Sequence, residues 1–181
     1  VSSSASDTAV TIKIIGTDDD YNPISSIVTL TGTSPVTIPA NFYRINKVLT
    51  IFGNAVGNVT IASGGTTYAK MLAGSGQNQA SIYSVPKGHS FYLYRIQVLS
   101  ATANANKYLT FRNYINGSAT GVDFRVGETT FTGNLSIRRV FPFRYGEKTD
   151  IKLQVKSSAQ TNHVGIFAEG LLIKEPQHLA N

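Results

Sequence analysis

The chain has 181 residues, a formal net charge of +6 and a charged fraction of 14%, against roughly 25% in typical soluble domains. Without cysteine it has no disulfide framework, thiolate metal site or thiol nucleophile, and no apolar run reaches the roughly 18 residues of a membrane-spanning helix. Uncharged polar residues (19 Thr, 17 Ser and 13 Asn) fill the gap, while 9 Tyr and 9 Phe exclude a disordered chain.

The N-terminal segment 1–8 is rich in serine and has no apolar signal sequence. Its composition predicts a flexible arm or linker that attaches the domain to something else. Because Val1 stands where an initiator Met would be, we expect a processed chain or a segment of a longer one.

From residue 9 onward, apolar and polar residues alternate with a period of two. Val10, Ile12 and Ile14, for example, alternate with Thr11 and Lys13, which is typical of a half-buried strand. Similar runs follow at 26–31, 43–52, 59–62, 66–72, 79–85, 91–100, 108–115, 122–126, 129–140, 150–156 and 163–174. Turns rich in Gly, Asn, Asp and Pro separate them, and no stretch has helical periodicity. The pattern therefore predicts an all-β protein.

About 10 to 12 short strands separated by frequent turns are typical of a sandwich or barrel. The simplest arrangement is an antiparallel two-sheet β-sandwich, jelly-roll-like, because it buries one face of every strand. No linker interrupts the pattern, so we predict a single domain over 9–174. Residues 175–181 are predicted to form a flexible tail.

The triplet Asp18-Asp19-Asp20 with Asn22 has the alternate spacing with which a calcium loop begins. The later positions of such a loop are missing, since position 29 is Thr rather than Glu. Asp and Asn also close tight turns with their side chains. We therefore predict a hairpin turn here, with a loop-tip cation as the alternative.

No catalytic or cofactor motif is recognisable. The histidines His89, His163 and His178 are isolated in sequence, so a zinc site is not predicted. The turn around Ser75 lacks the spacing of a nucleophile elbow, and no Gly-rich segment matches a phosphate loop. We predict a protein that is not an enzyme and needs no cofactor.

The positive charge is concentrated between residues 138 and 156, which makes this segment the candidate partner-contact site. Its members are Arg138, Arg139, Arg144, Lys148 and Lys152, followed by Lys156 and accompanied only by Glu147 and Asp150. The alternation of Lys152 and Lys156 with apolar residues is typical of a solvated strand face. An acidic protein surface and nucleic acid remain the functional alternatives.

Aromatic residues cluster at 91–94 and 141–145. Aromatic residues in strands usually face a core or a subunit interface. The alternative is a stacking platform for a ligand: single-stranded nucleic acid beside Arg95, Arg112 and Arg144, or a glycan bound by exposed residues such as Tyr114 to Ser118.

Several segments resemble a family of virion-associated structural proteins of tailed, often marine, bacteriophages. They are 1–9, 14–22, 28–36, 43–48, 57–61, 73–79, 82–88 and 146–153. These are strand-and-turn signatures with no catalytic residue among them. The resemblance implies a β-sandwich on the phage particle.

We therefore expect a capsid decoration, cement or head-fibre protein on the outer capsid surface, rather than on the neck or tail. Its expected partners are the major capsid protein or other virion proteins, together with further copies of itself, most simply as a trimer. A glycan-binding fibre domain for host recognition is the alternative. Nucleic acid is the least favoured partner.

Overall fold

The computed structural model describes residues 1–78, 81–100, 109–117, 123–158 and 164–176. These residues form strands and turns; none of them is in a helix, and so none belongs to a helix that could span a membrane. Every strand pair among them is antiparallel. The prediction of an antiparallel all-β protein is confirmed.

The chain divides into two compact units, unit 1 (Val1–Ala80) and unit 2 (Ser81–Asn181). The sequence predicts one domain over 9–174 instead. The described residues form four sheets, two in each unit, so a single two-sheet jelly roll is not confirmed. Alternation shows that a strand buries one face, but it does not show which other strands cover that face.

The described residues of unit 1 form two three-stranded sheets, ordered β1-β5-β6 and β3-β2-β4. Ile12 and Ile14 from one sheet join Val59 and Met71 from the other in one hydrophobic cluster. Burying each such side chain contributes roughly 1.5–3 kcal/mol. The strands are β1 (Ser2–Ser3), β2 (Thr11–Thr17), β3 (Pro23–Thr29), β4 (Arg44–Phe52), β5 (Val59–Ser63) and β6 (Thr66–Met71).

The Ser-rich segment 1–8 is part of unit 1 and not the flexible arm that its composition predicts. Ser2 and Ser3 form β1 and pair with β5. Asp7 is buried, and its carboxylate accepts hydrogen bonds from the Ser3 hydroxyl at 2.5 Å and from the amides of Val56 and Gly57 at 3.1 and 3.0 Å. The hydrogen bonds to Val56 and Gly57 join residues 49 and 50 positions apart in the chain, which a composition-based prediction does not detect.

The described residues of unit 2 form a four-stranded sheet, β10-β9-β12-β7, and a three-stranded sheet, β11-β8-β13. Phe111 and Ile151 from the first sheet pack with Leu93 and Val98 from the second in one cluster. The strands are β7 (Ile82–Ser84), β8 (His89–Ser100), β9 (Leu109–Gly117), β10 (Asp123–Phe131), β11 (Leu135–Tyr145), β12 (Thr149–Ser157) and β13 (Val164–Lys174).

One predicted strand boundary in unit 2 is wrong. The sequence places a break at residues 127–128 and a single strand over 129–140. In the structure Gly127 lies at a bulge inside β10, and the turn falls at 132–134, where Gly133 has a φ of 72°. The positive φ of Gly133 permits this turn, whereas a bulge absorbs the extra residue near Gly127 without ending the strand.

Candidate protein interface

Strand β11 is an edge strand interrupted by a bulge. Arg138 and Phe143 are successive paired residues of β11, yet their partners on β8, Arg95 and Leu93, lie only two positions apart. The intervening residues 139–142 therefore leave the ladder, and we call this segment the β11 bulge. It ends in a proline, which has no N–H group to donate to a ladder.

The β11 bulge presents two large apolar side chains to solvent. Val140 is 90% exposed and Phe141 is 86% exposed, the highest values among the exposed large hydrophobic residues of the described chain. Neither side chain contributes burial to the core, so the fold gains little from having them there. An exposed aromatic side chain on a projecting segment is the kind of group that anchors a protein interface.

Two of the predicted contact residues, Arg138 and Arg139, adjoin these apolar side chains. In the part of the chain that the structure describes, no carboxylate lies within ion-pair distance of either guanidinium. The Arg139 guanidinium lies 5.6 Å from the centre of the Phe143 ring. Both arginines are therefore available to a carboxylate on a partner.

A third predicted contact residue, Arg144, is instead held inside the unit. Its guanidinium donates to the Ser90 hydroxyl at 3.0 Å and to the Glu175 carboxylate at 2.9 Å. The hydrogen bond to Glu175 raises the pKa of Arg144, and hydrogen bonds from Ser90 and Arg144 lower the pKa of Glu175. The Glu175 amide also donates to the Gly88 carbonyl, so the predicted tail is anchored at its first residue. Residues 177–181 lie outside the described chain.

The remaining predicted residues, Lys148 and Lys152, do not join this surface. Lys148 lies in the turn after β11 with a φ of 59°, and its amide donates to the Val85 carbonyl. Lys152 lies on β12, in the other sheet of unit 2, opposite Tyr114 of β9. The basic segment is thus divided because the chain crosses between sheets after Tyr145. Lys152 is half-buried and alternates with the buried Ile151 and Leu153, so the predicted alternation along this strand is confirmed.

The aromatic cluster at 141–145 extends from solvent into the core. Tyr145 is only 3% exposed, and its hydroxyl accepts a hydrogen bond from the Asn113 side chain at 2.9 Å. Burial raises the pKa of Tyr145, which that hydrogen bond partly offsets. The ring centroids of Phe143 and Tyr145 are 4.7 Å apart, so a packed aromatic pair directly follows the β11 bulge in the strand. The predicted core role is confirmed for Tyr145.

The acidic triplet in unit 1 forms a tight turn, as predicted. The Asp18 carboxylate accepts hydrogen bonds from the amides of Asp20 and Asn22 at 3.0 and 2.8 Å and from the Asn22 side chain at 3.0 Å. Tyr21 completes the turn with a φ of 65°. Across the described residues, no group of three His, Asp or Glu side chains is arranged to hold a metal ion.

The other residues considered from the sequence make local contacts. The His89 ring lies 2.9 Å from the Lys87 carbonyl, and the Glu147 carboxylate accepts from the Gly88 amide at 2.5 Å. His163 and His178 lie outside the described residues. Tyr114 belongs to strand β9 rather than to a loop, so a loop site over 114–118 is not observed as far as Gly117, and Ser118 lies outside the described residues.

Comparisons with protein-family models, with curated proteins and with solved structures found no match to this chain. The evidence for the candidate interface therefore comes from the geometry of the chain itself. Sequence reasoning identified Arg138 and Arg139 as contact candidates and placed Phe141 in an aromatic cluster of the core or a subunit interface, but it did not single out Val140 or the exposure of Phe141. The available signal was Val140-Phe141-Pro142, an apolar pair followed by a proline within a strand pattern, which is typical of a bulge on an edge strand.

Proposed function

We propose that the chain is a bacteriophage virion structural protein, a capsid decoration, cement or head-fibre protein that binds the outer capsid surface as a homo-oligomer. The observation that carries a binding role is the β11 bulge, where Val140 and Phe141 are almost fully exposed beside two arginines that lack carboxylate partners in the described chain. The phage assignment is supported by the resemblance of the strand-and-turn segments.

The proposed mechanism is adhesion. Phe141 and Val140 insert into an apolar depression on the capsid subunit, and Arg138 and Arg139 pair with carboxylates at its rim. Each contact is small. A homo-oligomer on a symmetric lattice makes several contacts at once, and their combined strength greatly exceeds that of one contact.

The same proposal includes the finer architecture. We infer that each unit is a two-layer β-sandwich, because the buried residues of its two sheets share one hydrophobic cluster. A two-layer sandwich provides the rigid base from which an edge-strand bulge can be presented to a partner.

The test is sedimentation of the purified chain with expanded empty capsids of the phage that carries it. We expect the wild-type chain to cosediment, and Phe141→Ser combined with Arg138→Glu and Arg139→Glu to reduce binding by roughly 100-fold, since an aromatic anchor and its charged neighbours are removed together. Lys70→Glu, an exposed charge change on β6 of unit 1, is the matched control and should bind normally.

Absence of binding by the wild-type chain, together with labelling that places it away from the capsid surface, would overturn the proposal. A position on the tail or neck, with binding to a glycan array, would favour the host-recognition alternative. Equal binding by the triple variant and the wild-type chain would remove the β11 bulge from the mechanism.

A further inference from the structure

The two edge strands of the sheet β11-β8-β13 differ in how readily another strand could pair with them. The β11 edge carries a bulge, a proline and three arginines, the features with which natural edge strands prevent pairing with another chain. The β13 edge, Val164–Lys174, runs for eleven residues without proline and carries only two charges, Glu169 and Lys174. No other strand of the described chain pairs with its outer side.

The side chains of β13 are apolar on both faces. Val164 and Ile166 pack against the core of unit 2, and Ile166 lies opposite the buried Val98 of β8. The even-numbered residues therefore lie on the core-side face, although Ala168 and Leu172 of that face stay exposed. The odd-numbered residues lie on the outer face, where alternation would place polar groups. They include Phe167, Leu171 and Ile173, which are 56%, 59% and 46% exposed.

We propose that β13 pairs antiparallel with β13 of a second copy of the chain. Two three-stranded sheets then become one six-stranded sheet, with the order β11-β8-β13-β13-β8-β11. Such a pair is two-fold symmetric, and each copy offers the same surface to the other. It satisfies the outward-facing N–H and C=O groups of both edges and places the two outer apolar rows side by side.

The charge distribution favours a second copy as the occupant. Pairing at β13 leaves the arginines of the two β11 strands at opposite ends of the joined sheet, five strand spacings or roughly 24 Å apart. That separation exceeds the Debye length of about 8 Å at physiological salt, so the like charges scarcely repel. Glu169 is already paired with Arg95 at 3.5 Å. With Leu171 at the two-fold axis, Glu169 lies opposite Ile173 of the other copy, and like charges do not meet.

This inference specifies the homo-oligomer contact of the proposed virion protein and rests on that function only for its biological setting. It predicts a dimer and not the trimer expected from the sequence. The purified chain is sufficient to test it, because self-association requires no capsid. Failure to bind capsids would leave the dimer result standing, and failure to dimerise would leave the capsid result standing.

The experiment is sedimentation equilibrium of the full chain over a wide concentration range. We expect a monomer–dimer equilibrium in which Leu171→Lys raises the dissociation constant roughly tenfold or more, since a lysine replaces apolar contact at the seam. Val126→Lys is the matched control, because Val126 is also an exposed apolar residue of an edge strand, β10, and should leave the dimer unchanged.

A second variant tests the contact through covalent capture. The natural chain has no cysteine, so Leu171→Cys introduces a single thiol. Residues that face each other across an antiparallel pair have Cα atoms about 4.5–5.5 Å apart, within disulfide range. We expect a disulfide-linked dimer on mild oxidation from Leu171→Cys and none from Val126→Cys.

A chain that stays monomeric at all concentrations would overturn the proposal, as would a trimer. A dimer that Leu171→Lys does not weaken and Leu171→Cys does not link would show that the contact lies elsewhere. Circular dichroism establishes that each variant is folded, which the 59% exposure of Leu171 leads us to expect.

Discussion

The two units have the same kind of secondary structure but very different surface chemistry. Unit 1 contains four Lys and Arg and four Asp and Glu residues, whereas unit 2 contains twelve and six, so the entire net charge of +6 belongs to unit 2. Unit 2 also holds 13 of the 18 aromatic residues. A net charge and an aromatic excess confined to one unit make that unit the better candidate for partner binding.

The distribution of exposed apolar residues shows the same difference. In unit 1 they are scattered over separate strands and turns, as on an ordinary protein surface. Among the described residues of unit 2, seven of the ten lie on β11 and β13, the two edge strands of one sheet. The residues that form the core and those proposed to bind a partner are therefore different. The following substitutions test that separation, from the largest expected effect to the smallest.

The largest effect on stability is expected from a substitution in the core of unit 1. Ile12 is fully buried and Ile27 is 58% exposed. We expect Ile12→Ala to lower the free energy of unfolding by about 2–5 kcal/mol, because it removes buried contacts and leaves a cavity. Ile27→Ala should change it by less than about 0.5 kcal/mol. Urea denaturation measures both, and similar losses for the two variants would contradict the assigned core.

The next largest effect on stability is expected where the backbones of β2 and β4 approach closely. A Cβ atom at Gly16 of β2 would overlap the backbone carbonyl oxygen of Arg44, whereas one at Gly146 would meet no atom within 4 Å. We expect Gly16→Ala to destabilise the chain by about 1–3 kcal/mol, since β2 and β4 must move apart. Gly146→Ala should be neutral or slightly stabilising. Thermal unfolding compares the two, and an undisturbed Gly16→Ala variant would argue against this strand spacing.

Replacing the Asp7 carboxylate is expected to have a smaller effect on stability, and one that depends on pH. Hydrogen bonds, chiefly from Ser3, lower the pKa of Asp7 below its ordinary value of 3.8. Its stabilisation is therefore complete above that value and is lost as pH falls through the still lower folded-state pKa. Asp7→Asn should cost about 1 kcal/mol at neutral pH, because an amide donor then faces a backbone donor.

The measurement is the unfolding free energy followed from neutral to acid pH. The gap between wild-type and Asp7→Asn proteins should narrow at acid pH. Asp19→Asn, at an exposed turn position, serves as the control and should leave the profile close to wild type. A gap that stays constant with pH would mean that the Asp7 charge does not contribute.

The smallest effect on stability is expected from a substitution in the β11 bulge. Phe141 is 86% exposed, so Phe141→Ser should change the free energy of unfolding by less than about 0.5 kcal/mol. Denaturant unfolding of this variant, beside Ile12→Ala, tests whether the bulge is separate from the core. A loss as large as that of Ile12→Ala would make Phe141 part of the fold and unavailable to a partner.

Several local features were predictable because neighbouring residues decide them. The alternation at Val10, Ile12 and Ile14 predicted a strand with one buried face, and β2 has that pattern. Asp18 closes its own turn through groups within four residues. Ile151 and Leu153 are buried on either side of the half-buried Lys152, as the local alternation predicted.

Other features depend on contacts between distant segments, and the composition of a segment contains no record of them. The composition around Ser2 and Ser3 predicted a flexible arm, and only their pairing with β5 shows that they form a strand. Arg138 and Arg144 look equivalent in sequence, but only Arg144 meets Glu175, thirty-one residues away. The sequence by itself determined the all-β class and most of the strand faces, through a period-two pattern that every strand contains locally. Only the tertiary structure decided the division into two units and the exposure of the β11 bulge and the β13 edge, because strand order and register are set by long-range pairing.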